Sequence, residues 1–165
     1  MITRSSKLML VAGIAILYAL VVFNNVTDFD SNYQFVRHVL MMDSTFPGNH
    51  GLWRALRSPG FHLAFYILII AWELVAAILL WWGAARMIRT LRSPVERFNA
   101  AKGVAIMALT LSMLLWLVAF LAVGAEWFLM WQSHNWNGQE AAFRMFVVAG
   151  LVLLLLLQPD IEGQP

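Results

Sequence analysis

The sequence predicts an all-α fold: a four-helix transmembrane bundle with a long, partly helical first outer loop. Three observations carry that prediction. Of the 165 residues, 61% are hydrophobic and only 12% are charged, more apolar side chain than a domain of this size can hide from water. Four apolar runs approach the ~20 residues that cross a hydrocarbon core. The basic residues gather on alternate connections between those runs, as topology-determining charge does. The same composition excludes a disordered chain, a coiled coil and a collagen-like fibre. There are no cysteines, which removes disulfides, thiolate metal centres, a cysteine nucleophile and covalently attached haem. A net charge of +2 without a basic stripe gives no reason to expect nucleic acid. The lipid bilayer is the first partner implied.

The four spans lie at about 8–23, 61–82, 103–125 and 141–157, within one integral membrane domain covering residues 1–165. Lys7 and Asn24 bracket the first. Arg4 and Lys7 ahead of an apolar run also fit a signal peptide, but Asn24, Asn25, Val26, Thr27 and Asp28 offer no small-x-small cleavage site. The run therefore reads as a retained span. The second is interrupted by His62 and Glu73, the third carries no charge, and the fourth has Arg144 in its first turn. Helices follow because lipid cannot satisfy open backbone groups, and four strands could not close a barrel. Arg4, Lys7, Arg86, Arg89, Arg92, Arg97 and Lys102 fall on one side; Arg37, Arg54 and Arg57 fall in the opposite loop. The positive-inside rule puts both termini and the 83–102 connection in the cytoplasm. Asp160 to the C-terminus reads as a short, frayed tail.

The outer loops are the least ordinary part. Residues 24–60 are too many for a simple helix–helix connection. Asp30 and Ser31 can cap a helix, with Phe35, Val36, Val39, Leu40 and Met42 behind them at helical spacing. Phe46-Pro47-Gly48-Asn49 is a turn signal, and a second short apolar piece surrounds Trp53. The expectation is a short helix on the outer membrane face or capping the bundle. The second outer loop, 126–140, holds Trp127, Trp131, Trp136, Asn137 and Gln139, and no Lys or Arg. Tryptophans belong at a membrane interface, where the indole keeps a wet edge; together with Trp53 they are also the natural surface for a protein partner.

Two carboxylates lack an ordinary explanation. Glu126 ends an apolar span and needs a partner; Arg54, Arg57, His62 and Arg144 are within reach, with Arg144 or Arg54 preferred. Glu73 lies 12 residues after Phe61, about 18 Å along the helix and close to the bilayer centre. Tyr18, Thr110 and Ser112 fall at similar depth, and Tyr18 or Ser112 is the expected hydrogen-bond partner. A structural inter-helix bond, a ligand or proton contact, and contact with another subunit are all open for Glu73. Enzyme signatures are missing: there is no His-Glu-x-x-His, no Gly-x-Ser-x-Gly and no phosphate-cradling loop. His38, His50, His62 and His134 show no i, i+4 spacing, so neither a metal site nor a haem is expected, and no cofactor.

Long loop motifs carry a resemblance. Asn24-Asn25-Val26-Thr27-Asp28, then Ser31-Asn32, then the stretch from Phe35 to Asn49 followed by Trp53-Arg54, resemble a bacterial family of predicted small integral membrane proteins of unknown function. So do Gly124 to Ser133, Trp136 to Gln139, and Glu73 itself. The resemblance covers nearly the whole chain. It implies a four-helix protein of the bacterial inner membrane and brings no activity with it. A weaker likeness to claudins rests on architecture and on Gly51-Leu52-Trp53; the two cysteines expected beside that motif are missing. The leading expectation is a non-enzymatic accessory subunit that docks a membrane or periplasmic partner, or a second copy, through its Trp-rich outer surface. The alternative is a quinone- or lipid-binding or proton-conducting protein that uses Glu73 and Glu126.

Overall fold

The computed structural model describes residues 1–161. Among them the fold is all-helical, with four helices long and apolar enough to cross a membrane: Ile2–Thr27, Pro59–Thr90, Val95–Trp127 and Gln139–Leu157. The helices in chain order are α1 (Ile2–Thr27), α2 (Phe29–Met41), α3 (Pro59–Thr90), α4 (Val95–Ala101), α5 (Gly103–Leu114) and α6 (Gln139–Leu157); α4, α5 and the segment after α5 together make the third span. From Leu115 to Trp127 the helix of α5 continues with π winding, closed by the Phe128 N–H on the Val123 carbonyl, five residues back.

Each helix outruns the apolar run that predicted it. Helices do not stop where hydrocarbon stops; polar first and last turns are satisfied by water and headgroups. The 83–102 connection is therefore mostly helical: α3 reaches Thr90, Pro94 precedes α4, and only residues 91–94 turn. The packing divides into two apolar clusters. The larger lies toward the end rich in Lys and Arg, hereafter the basic end. It interleaves Ala76, Ala77, Ala84, Ala105, Ala108 and Ala149 with Val11, Leu80, Met87 and Leu109. Small residues let membrane helices approach closely. Gly83 is the extreme case: a Cβ there would sit 2.8 Å from the Ala105 backbone nitrogen.

The second cluster forms the cap end. α2 folds across the ends of α3 and the π segment, burying Val36, Val39 and Leu40 against Tyr66, Ala125, Phe128 and Met130. The amphipathic pattern of residues 35–42 thus yields a bundle cap. Its start is earlier than Asp30 and Ser31 suggest. Asp28 holds the N-cap position without capping the backbone, and its carboxylate accepts from the Ser31 hydroxyl instead. Met42 ends α2 in the left-handed region, φ 52°. Gly48 takes φ 75° in the anticipated turn, where the Asn49 N–H donates to the Phe46 carbonyl.

At the basic end the chain beyond α6 is tied down. Lys7 Nζ and Lys102 Nζ both reach Asp160 Oδ2, at 3.0 and 2.9 Å, and both donate to the Gln158 carbonyl. Asn99 pairs with the Asp160 backbone through both its amide nitrogen and its oxygen. Asp160 is 5% exposed. The expectation of a frayed tail is corrected there: two buried lysines leave no cheap alternative to a carboxylate. Residues 162–165 of that expected tail lie outside the described residues.

Candidate functional site

Glu73 is 2% exposed, and its partner is not the one depth alone suggests. Asn25 Nδ2 donates to Glu73 Oε2 at 2.6 Å. Asn25 Oδ1 in turn accepts from Asn32 Nδ2 at 2.7 Å and from the Tyr66 hydroxyl at 3.4 Å, which also donates to the Asn25 carbonyl at 3.2 Å. The Tyr66 and Asn32 donors together fix the amide orientation, so the NH2 of Asn25 faces the acid. The result is a polar chain from a buried carboxylate to Asn32, an exposed residue on α2.

Tyr18 and Ser112 are engaged elsewhere. Trp116 Nε1 donates to the Tyr18 hydroxyl at 2.8 Å, and Ser112 Oγ donates to the Ala108 carbonyl at 2.9 Å within its own helix. The reason is register. Asn25 lies seven residues beyond Tyr18 on α1, about 10 Å nearer the cap end. Glu73 faces that level, so it sits under α2 rather than beside the Tyr18 hydroxyl.

Glu73 is not sealed in packing. It lines a cavity of about 310 Å³ whose wall includes Val21, Asn24, Asn25, Asn32, Phe35, Tyr66, Trp116, Phe120 and Gly138. No described residue donates to its second oxygen, Oε1. A second cavity of about 190 Å³, lined by apolar side chains and Gly124, lies between α3, α2 and the π segment. Phe35, Val36, Ile69 and Phe120 line both, so a polar and an apolar recess share one wall. The π winding contributes to both through Leu115, Trp116, Phe120 and Val123.

The other predicted residues do not join this group. Glu126 is exposed and its side chain forms no ion pair among the described residues. None of Arg54, His62 and Arg144 forms an ion pair with it. Arg54 lies against two rings, 5.7 Å from the centre of Trp53 and 5.5 Å from that of Trp127. Arg144 is exposed on α6. His62 is 1% exposed, and its Nε2 meets the Leu56 carbonyl at 2.7 Å, tethering the loop before α3. The expected Glu126 pairing is corrected accordingly: at the water interface a carboxylate needs no counter-ion.

The tryptophans split into two sets. Trp53, 76% exposed, meets Trp127 edge-on at 5.9 Å, and Trp131, also exposed, meets Phe46 in the same way. Trp136 instead packs down: it stacks on His38 at 4.5 Å, while His38 Nδ1 contacts the Asp43 carboxylate at 2.8 Å. Asn137 Oδ1 accepts from the Gln139 backbone and starts α6. Asn25, Asn32 and Tyr66 are the site residues that span reading passes over. A clue was present: Asn24-Asn25 in the loop motif are amides at the end of an apolar run.

Four membrane-length helices, a small-residue interior and a helical cap define a small multi-pass integral membrane protein. The chain belongs to the family described as "Predicted small integral membrane protein (DUF2165)", whose model matches residues 3–159. No curated protein matches the chain, and no solved structure matches it.

Proposed function

We propose that this protein binds a hydrophobic small molecule in the cleft beneath α2, without transforming it, and that Glu73 holds the molecule's polar end. One observation carries the reading: Glu73, though buried, lines a 310 Å³ cavity with one oxygen unpartnered. That oxygen faces open space rather than a neighbouring side chain, so a ligand atom can reach it. The adjoining apolar recess supplies room for an apolar body, the usual make-up of a small-molecule site. The basic end is the cytoplasmic one in this reading, and the membrane is the bacterial inner membrane, so the cleft opens toward the periplasm.

The test is to extract the protein into native nanodiscs and measure its small-molecule content against bulk membrane. A compound enriched near one per chain, and lost in Ile69→Trp, supports the proposal. Content indistinguishable from bulk lipid overturns it.

A second reading rests on Trp53 and Trp131, which present exposed rings at the cap end. They suit an accessory subunit docking a partner protein. Trp53→Ala with Trp131→Ala should then abolish co-purification of a stoichiometric partner.

A further inference from the structure

The chemistry of the cleft narrows the ligand, given that the cleft is a binding site at all. Three donors beside Glu73 are engaged within the protein: Asn25 Nδ2 on Glu73, Asn32 Nδ2 on Asn25, and the Tyr66 hydroxyl on Asn25; the Asn24 amide lines the cavity as well. Of the acid's own oxygens, Glu73 Oε1 remains free to accept. No Lys, Arg or His lines the cavity, so the carboxylate has no counter-ion there. Its wall also carries the rings of Phe35, Tyr66, Trp116 and Phe120, and aromatic faces attract cations.

We propose that the ligand is a lipophilic cation: one positive charge on an apolar or aromatic body. The charge lies against Glu73. The body runs past Phe35 and Ile69 into the apolar recess. An ionised carboxylate here has no counter-ion in the cavity wall, and a cation arriving from outside supplies one. Specificity then follows from charge sign, because an anion would meet the carboxylate directly.

The experiment uses the full chain in phosphatidylcholine nanodiscs and equilibrium dialysis of three probes: tetraphenylphosphonium, its near-isosteric anion tetraphenylborate, and neutral decylubiquinone. The expected result is saturable phosphonium binding, with borate and quinone bound no better than to empty discs. Glu73→Gln should weaken phosphonium binding about tenfold or more, and Glu73→Asp should restore part of it. Equal or tighter binding of borate or decylubiquinone overturns the cation assignment while leaving the cleft as a site. No saturable binding of any probe also overturns it, and an empty native extraction would then remove the cleft reading as well. The phosphonium–borate comparison needs only the wild-type protein, so a Gln variant that fails to fold does not rescue the proposal. Ile69→Trp, which keeps Glu73 but occupies the shared wall, should abolish phosphonium binding.

Discussion

Asn25 is the residue on which the site's geometry turns. Its amide group serves Glu73 on one side and Asn32 and Tyr66 on the other. Asn25→Ala therefore strands a carboxylate oxygen and removes the acceptor of the Asn32 amide, while the Tyr66 hydroxyl keeps the backbone carbonyl of residue 25. Losing buried partners of this kind costs about 1 to 3 kcal/mol, and the thermal unfolding midpoint in detergent should fall accordingly. An unchanged midpoint would show that the chain of amides is not under load. Asp160 makes the same point at the opposite end. Burial by itself raises its carboxyl pKa, but hydrogen bonds from Lys102 and Lys7 and their charges outweigh that, and the carboxyl titrates below its ordinary value. A depressed folded-state pKa stabilises the fold above the unfolded value, about 4, and that contribution disappears as pH falls through the folded value. Wild-type protein should thus lose more stability between neutral pH and pH ~3 than Asp160→Asn. At neutral pH the Asn variant should already be weaker by about 3 to 5 kcal/mol, since two buried ammonium groups lose their counter-ion. Identical acid profiles for the two proteins would count against this account.

At the scale of the element, the contact between α3 and α5 is set by Gly83. A methyl group there would collide with Ala105 backbone at 2.8 Å, and backbone cannot swing aside as a side-chain tip can. Gly83→Ala should cost about 1 to 3 kcal/mol, and Gly83→Leu should prevent assembly of the bundle. Gly13 is the control: nothing lies within 4 Å of a Cβ built on it, so Gly13→Ala should be neutral or slightly stabilising by helix propensity. Equal losses at both positions, measured by unfolding in SDS, would show that glycine flexibility rather than close approach matters. The π segment raises a different point. Its 13 residues, Leu115–Trp127, form one wall of both recesses, and π winding is uncommon and frequent near functional sites. The apolar run itself carries no mark of it, because uniformly apolar residues satisfy either winding. Residues 35–42, by contrast, announced a helix with one buried face.

For the whole molecule, the two ends are held by different means. The cap end is closed by apolar packing of α2 on α3 and the π segment. The basic end is closed by charge, with Lys7 of α1, Lys102 ahead of α5 and Asp160 beyond α6 drawn together. Three segments remote in sequence meet in that cluster. Removing residues 158–165 should therefore loosen the whole basic end, with proteolysis appearing near residues 91–94 before the cap end is affected. Protease resistance equal to wild type would mean that the apolar cluster alone suffices. Arg4 adds to the closure by donating to the Leu91 and Ser93 carbonyls, which pins the turn between α3 and α4 against α1.

Composition and the length of four apolar runs determined the class, the number of spans and their approximate limits. These follow from the solvent: hydrocarbon demands apolar length and internally bonded backbone wherever the chain crosses. The amphipathic pattern in the first long loop determined that a helix forms there, and the isolated acid in the second span marked Glu73 as a residue needing a partner. Only the tertiary structure decided which partner. Depth counted along one helix gives height but neither rotation nor offset against a neighbour, so in sequence Tyr18 and Ser112 look nearest to Glu73, while Asn25 falls in the first outer loop. Glu126 and Arg54 likewise form no pair, because an interfacial carboxylate keeps its water while the guanidinium lies against two indoles. Asp160 looked free because tails usually are, and became buried because Lys7 and Lys102 converge on the one place it can reach. Cavities belong wholly to packing: the space beside Glu73 exists because α1, α2, α3, the π segment and the start of α6 fail to close there, and no single segment encodes a gap between five.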